Sequence, residues 1–118
     1  MAGERVVVAG RDPRVFNLIA QVVTETTGDT TYLADPMEDL AQALSELPSA
    51  LLLLVEVDRY MPERLAAVRL IRDLYPGIVV TVLSFGQGPE WREELGCQES
   101  LDEPIELEEL EVLLRKYL

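Results

Sequence analysis

The chain has 118 residues and a formal net charge of −12, with one cysteine and no histidine. Its length predicts a single domain that can bury an ordinary core without disulfides or metals. The excess of acidic residues argues against direct binding to nucleic acid or to anionic membrane surfaces, because both carry negative charge. The lack of histidine excludes histidine-based catalytic triads and histidine-ligated zinc.

Hydropathy and cysteine content indicate a compact, reduced, cytoplasmic protein. Hydrophobic residues make up 48% of the chain, but no run of about 18 apolar residues could span a bilayer and no signal-type segment begins the sequence. Cys97 has no partner for an internal disulfide. We expect it to be a small buried apolar residue, since a reactive thiol would need a nearby cation.

Strand and helix patterns alternate five times along the chain. Short apolar, β-branched runs predict strands, and apolar residues at helical spacing predict the helices between them. The predicted strands are 5–10, 30–34, 50–57, 78–83 and 99–101. The predicted helices are 12–28, 35–48, 62–75, 90–95 and 106–117.

Two Asp-Pro dipeptides, Asp12-Pro13 and Asp35-Pro36, predict the starts of the first two helices. Aspartate is a favoured N-cap, and proline is favoured at the first helical position. Helical spacing also predicts the buried faces of two later helices. These faces are Leu65, Val68, Ile71 and Leu74 in the third helix and Leu107, Leu110, Leu114 and Tyr117 in the fifth.

Regular alternation of strands and helices predicts a parallel sheet with helices on both faces. We expect an α/β, flavodoxin-like domain over residues 1–118 with strand order 2-1-3-4-5. Its ligand crevice should lie at the carboxyl ends of strands 1 and 3. The domain could stand alone or be the N-terminal part of a longer protein.

Polar residues follow several of these strands and should meet at one edge of the sheet. Strand 1 is followed by the segment 10–12, strand 3 by Asp58, strand 4 by Ser84 and strand 5 by Glu103-Pro104. Asp58 also begins an Asp-x-x-Met-Pro motif that ends at Pro62. With the alternation of elements, this motif resembles the phosphoacceptor segment of CheY-like response-regulator receiver domains, and the resemblance covers essentially the whole chain.

The resemblance implies a two-component signalling domain in which Asp58 takes the phosphoacceptor position. Ser84 then takes the position of the family's hydroxyl residue, and Ser100 that of its switch aromatic. The family's acidic pair at the end of strand 1 falls on Gly10 and Arg11. The Asp-Pro that follows this pair in the family is present here as Asp12-Pro13. The family's lysine falls on Glu103, immediately before Pro104.

These departures remove the chemistry that phosphorylation requires. The family neutralises the incoming phosphoryl oxygens with Mg²⁺ and lysine, and carboxylates hold the metal. Gly10 and Arg11 supply no such ligands, and Glu103 replaces a cation with an anion. We therefore expect a degenerate member, or pseudo-receiver, with no catalytic residue, no metal site and no Mg²⁺ or other cofactor.

Several residues keep more than one interpretation. Arg11 could replace the metal and pair with Asp58, Glu103 or both, or it could be solvated on a loop. Asp58 could be a turn residue, an ion-pair partner or a retained phosphoacceptor. Glu56 shares a face with Asp58 and could help to bind a metal, although a carboxylate in such a strand more commonly reaches the sheet edge or pairs with a cation.

Contacts with other proteins are expected at the face made by helix 4, strand 5 and helix 5, by the same resemblance. Trp91 either folds back over the sheet or is exposed there as an anchor for a partner. Ser100 and the outer side of helix 5, including Glu108 and Glu111, complete the candidate interface. The partner could be another protein or a second copy of this chain.

The sequence is compatible with three functions. The first is a pseudo-receiver that signals through protein contacts without Mg²⁺-dependent phosphorylation. The second is a receiver phosphorylated at Asp58 by an atypical route. The third is a small flavodoxin-like enzyme or ligand-binding domain, which the absence of a phosphate-binding glycine loop disfavours, because Gly86 and Gly88 lie far from strand 1.

Overall fold

The structure, a computed structural model, describes residues 3–118, so Met1 and Ala2 of the predicted domain lie outside the described residues. Five parallel strands form one sheet in the order β2-β1-β3-β4-β5, which confirms the predicted topology. The strands are β1 (Val6–Ala9), β2 (Thr31–Leu33), β3 (Leu52–Glu56), β4 (Val79–Ser84) and β5 (Glu99–Asp102). The helices are α1 (Pro13–Thr27), α2 (Leu40–Ser45), α3 (Pro62–Leu74), α4 (Gly88–Leu95) and α5 (Leu107–Tyr117).

The central strands are covered on both faces, as their nearly continuous apolar sequences indicate. Every residue of β1 and β3 is buried. Leu53 and Val55 of β3 face the layer formed by α2, α3 and α4. Leu52 and Leu54 face the layer formed by α1 and α5. The sheet therefore separates two apolar cores, and Glu56, the one polar residue of β1 and β3, lies at a strand end.

The first helix begins as predicted. Asp12 is its N-cap and accepts a hydrogen bond from the backbone N–H of Arg14 at 2.9 Å, with Pro13 as the first helical residue. The helix ends at Gly28, whose φ of 76° lies in the left-handed region that glycine adopts without steric cost. These contacts fix the loop between β1 and α1 that carries Arg11.

The second helix begins later than the sequence predicted. Asp35 caps a turn, not a helix, because its carboxylate accepts from the N–H of Met37 at 3.0 Å. Helix α2 starts at Leu40, with Asp39 as the N-cap that accepts from Gln42 at 3.2 Å, and it ends at Ser45, before Pro48. Short-range hydrogen bonds of aspartate favour turns and helix starts equally, so the dipeptide alone could not distinguish them.

Two leucines predicted to face the core are exposed. Leu74 is 56% exposed and Leu107 is 48% exposed. Each is a terminal residue of its helix, α3 or α5, and helical spacing alone does not show where the neighbouring layer stops covering a helix. Within the described residues, no helix combines the length and hydrophobicity needed to cross a membrane.

The corrected start of α2 can be tested at its N-cap. Replacing Asp39 with alanine should lower the free energy of unfolding by about 1 kcal/mol, because the N–H of Gln42 loses its side-chain acceptor. Asp39→Asn is the matched control, since asparagine caps about as well as aspartate. Urea unfolding followed by circular dichroism measures both. Equal losses in the two variants would contradict the capping role.

Candidate functional site

The guanidinium of Arg11 bridges two carboxylates at the carboxyl edge of the sheet. Its Nε donates to Glu56 Oε1 at 2.9 Å, and its Nη2 donates to Asp58 Oδ2 at 2.9 Å. Arg11 lies in the loop after β1, whereas Glu56 ends the neighbouring strand β3 and Asp58 follows it. The parallel pairing of β1 with β3 thus brings residues about 45 positions apart into one site.

Burial makes the contact with Glu56 the more consequential of the two. The Glu56 side chain is 6% exposed, whereas those of Asp58 and Arg11 are 31% and 57% exposed. A buried carboxylate requires a compensating partner, and Arg11 supplies it. The pKa of Arg11 is raised, first by its hydrogen bond to Glu56, while desolvation acts in the opposite direction. Of the two interpretations of Glu56, the structure therefore shows the one in which its carboxylate pairs with a cation.

Asp58 combines two of the interpretations made from the sequence. Its Oδ2 accepts from Arg11, and its Oδ1 accepts from the backbone N–H of Tyr60 at 2.7 Å. It is therefore both an ion-pair partner and a turn residue. Asp12, the N-cap of α1, forms an ion pair with Arg14. The hydrogen bond from the Arg14 side chain is the largest cause of the lowered pKa of Asp12.

Gly10 leaves no room for a side chain. A Cβ on this residue would lie 2.7 Å from Cε1 of Phe16 and 3.1 Å from Cβ of Glu56. Phe16 is buried in the core beneath α1, so the ring cannot move without repacking that core. Glycine is therefore required at position 10 because Phe16 packs directly under the site.

Of the alternatives predicted for Arg11, the structure shows pairing with Asp58 and not with Glu103. Glu103 is 9% exposed, and within residues 3–118 neither carboxylate oxygen has a hydrogen-bond donor. Its backbone N–H donates to the carbonyl of Ser84 at 2.7 Å, which holds the residue against the end of β4. Arg11 is already shared by Glu56 and Asp58, which explains why Glu103 receives no donor from it.

The pKa of Glu103 is raised to about 7. The main cause is desolvation, followed by the negative charge of Glu56 and a hydrogen bond to Glu56, while Arg11 opposes the shift. Two ionised carboxylates can only accept hydrogen bonds, so this contact forms once one of them carries a proton. The Glu103-Pro104 peptide bond is cis.

The other predicted site residues lie on β4, β5 and their loops. Ser84 is buried at the end of β4, and Ser100 is half-buried on β5. The register pairs Val82 with Ser100 and Ser84 with Asp102. Ser100 also lies close to the start of α4. A Cβ added to Gly88 would be 3.1 Å from the Cβ of Ser100.

Trp91 takes the first of its two alternatives. It is 9% exposed and packs in the apolar core on the α2, α3 and α4 side of the sheet, so its indole is not offered to a partner. The face formed by α4, β5 and α5 instead carries a shallow cavity of about 540 Å³. Its lining residues are Pro89, Ser100, Leu101, Asp102, Glu108, Glu109 and Val112. Glu111, also predicted there, pairs with Arg115 at 3.9 Å.

A second surface was missed from the sequence. A groove of about 840 Å³ lies between the β2–α2 segment and α3, and Arg11 lines it. Met37 and Tyr60 border the groove and are 90% and 82% exposed. The prediction of a helix from Asp35 concealed this opening, because segment 35–39 would then have been part of an amphipathic helix. Among residues 3–118, no cluster of three or more acidic, cysteine or histidine side chains could hold a metal ion.

Comparisons with known proteins agree with this architecture. No family model and no curated protein matches the chain. A CheY-like protein, TadZ, from Pseudomonas aeruginosa PAO1 superposes with a TM-score of 0.80 at 15% identity, covering 96% of this chain and 98% of that one. A response regulator from Thermotoga maritima gives a TM-score of 0.73 at 22% identity, with 96% of each chain covered.

The chain has the CheY-like receiver fold. A third receiver-like structure is an atypical orphan response regulator described as having a phosphorylation-independent regulatory mechanism. It matches with a TM-score of 0.74 at 19% identity, covering 95% of this chain and 92% of that protein. On this receiver fold, Arg11, Glu56 and Asp58 occupy the crevice at the carboxyl ends of β1 and β3.

Removing the bridging guanidinium should destabilise the receiver fold. Arg11→Ala should lower the free energy of unfolding by about 1–3 kcal/mol at neutral pH, because the buried Glu56 carboxylate loses its partner. Arg69→Ala is the matched control, since Arg69 makes only an exposed 3.8 Å pair with Glu94 and should change stability by less than about 1 kcal/mol. Denaturant titration of both variants decides the matter, and equal small effects would contradict a structural role for Arg11.

Proposed function

We propose that this receiver domain is a pseudo-receiver that signals through protein contacts, without Mg²⁺-dependent phosphorylation of Asp58. The observation that carries the proposal is the bridge from Arg11 to Glu56 and Asp58, each at 2.9 Å. A phosphoacceptor must present a free carboxylate oxygen to the phosphorus atom and gather cations around the incoming group. Here one Asp58 oxygen accepts from Arg11 and the other from the backbone N–H of Tyr60.

The residues around Asp58 do not fit a magnesium ion. Mg²⁺ prefers octahedral oxygen ligands and retains several of its waters. Gly10 contributes no ligand, and Phe16 occupies the space in which a longer side chain would begin. The Glu103 oxygens are shielded from solvent, which leaves no room for a hydrated ion beside them. Arg11 already supplies the positive charge that a metal would bring to Glu56 and Asp58.

Comparison with the atypical orphan response regulator supports the same proposal. That protein is described as acting by a phosphorylation-independent mechanism, and it shares the receiver fold at 19% identity. We infer that the present chain also carries its signal in the surfaces it offers to partners, and that it catalyses no reaction. The candidate surfaces are the groove that Arg11 lines and the face formed by α4, β5 and α5, which includes Ser100.

A phosphorylation assay tests this proposal directly. Incubation with Mg²⁺ and a small phosphodonor such as acetyl phosphate should leave the intact mass unchanged, because Arg11 occupies Asp58 and no lysine lies at position 103. A phosphorylatable receiver domain in the same reaction is the positive control. Stoichiometric addition of one phosphoryl group, abolished in Asp58→Asn, would instead establish the atypical-phosphorylation alternative.

The partner at the α4–β5–α5 face should be a protein with positive charge. Asp102, Glu108 and Glu109 surround the exposed Val112, which is 65% exposed. A second copy would bring the same acidic residues against them, and like charges in an interface oppose association. These charges favour a cationic partner over self-association.

Light scattering tests this preference for a different partner. The chain should have the mass of a monomer at low ionic strength, where repulsion between the acidic faces is least screened. A dimer that is lost in Val112→Glu would show that the face binds a second copy. Glu25→Gln, on the exposed side of α1, is a control that leaves the face unchanged.

A further inference from the structure

Glu103 is a buried acid that the proposed signalling role does not use. It is 9% exposed, and neither of its oxygens is reached by a donor among residues 3–118. A buried carboxylate without a donor is strongly destabilising when it is ionised. Glu56, which is 5% exposed, ends β3 opposite Leu83 of β4, and the backbone N–H of Glu103 donates to the carbonyl of Ser84, the next residue of β4, so both acids lie at the same edge of the sheet. Two buried carboxyl groups in contact form a stable arrangement when they hold a single proton, because one then donates to the other.

We propose that Glu103 and Glu56 are a proton-binding pair, and that the proton they share keeps Arg11 on Asp58. The charged groups facing Glu103 are Glu56 from β3, Arg11 from the loop after β1 and Asp12 at the start of α1. With all acids ionised, one guanidinium would face Glu56, Asp58 and Glu103 together. With the proton bound, Glu56 retains both Arg11 and a donor from Glu103, and Asp58 keeps its own hydrogen bond to Arg11.

Loss of the proton should redistribute Arg11. The Arg11 side chain is 57% exposed and therefore free to shift, whereas Glu103 and Glu56 are held by buried strand ends. An ionised Glu103 would compete for the guanidinium at the expense of the more exposed Asp58. The pair would thereby make the crevice sensitive to pH whether or not Asp58 ever accepts a phosphoryl group, so this inference is independent of the proposed function.

The pH at which this happens can be assigned without interference from other side chains. The pKa of Glu103 is raised to about 7, chiefly by desolvation. The chain has no histidine, and burial raises the pKa of its one cysteine. A carboxyl titration close to neutrality would therefore identify this pair.

Stability should also follow the proton. The folded-state pKa of Glu103 exceeds that of a glutamate in the unfolded chain, about 4.3, so the folded protein binds more protons between these values. Stability from this group is fully present below the unfolded-state pKa and is lost as the pH rises through about 7. Unfolding in urea should therefore occur at lower denaturant at about pH 8 than at about pH 5.5.

The experiment is a carboxyl NMR titration of protein labelled with ¹³C at the glutamate side chains, from about pH 5 to about pH 9. One resonance should titrate near pH 7, and the Nε–H signal of Arg11 should move with the same midpoint. Glu103→Gln should abolish both changes and make urea unfolding independent of pH in this range, because its amide donates permanently to Glu56. Glu90→Gln, on the exposed side of α4, is the control and should leave the titration unchanged.

Glu56→Gln separates a shared proton from simple burial of Glu103. Its amide can donate to Glu103 and removes the negative charge beside it, so the midpoint should fall below that of the wild type. An unchanged midpoint would overturn the pairing, and completion of every carboxyl titration below about pH 5.5 would overturn the proton site itself. A shift of the same resonances by millimolar Mg²⁺ would show a cation in place of the proton. An Arg11 signal that ignores the titration would refute the link to Asp58.

Discussion

The contact between Arg11 and Glu56 is the constraint on which the rest of the site depends. Glu56 ends a strand that is buried on both faces, so its charge needs a partner from outside the core. Arg11 reaches it from the loop after β1 and simultaneously holds the more exposed Asp58. The loop can make this approach because Gly10 lets Phe16 pack directly beneath it and Asp12 fixes the start of α1. Gly10, Phe16 and Asp12 are therefore explained together, because all three support the loop that carries Arg11.

The distribution of charge relates Arg11, Glu56, Asp58 and Glu103 to one another. A receiver site that binds a metal and a phosphoryl group needs several acids balanced by several cations. In this chain one guanidinium balances Glu56 and Asp58, and the acid at position 103 is buried without a donor. A proton is the smallest positive charge that can satisfy the remaining carboxylate. The proposed proton site thus follows from the balance of charge among these residues.

The surfaces around the crevice connect this charge arrangement to possible partners. Arg11 lines the groove beside α3, so a protein bound there would contact the residue that holds Asp58. The α4–β5–α5 face begins at the strand that leads to Glu103, through Ser100 and Asp102. A change in charge at Asp58 or at Glu103 would therefore occur close to an exposed surface. Burial of Trp91 leaves Val112 and its acidic neighbours as the recognisable features of that face.

The alternation of elements could be predicted from the sequence because apolar periodicity is a local property of the chain, and the strand order followed as the common arrangement for that alternation. The pairing of Arg11 with Asp58 was one of the alternatives that the sequence left open. That Glu56, and not Glu103, is the second partner could not be read from the sequence, because the choice depends on distances between strand ends. The start of α2 and the exposure of Leu74 and Leu107 were likewise decided by packing, which local hydrogen-bonding preferences and helical spacing do not specify.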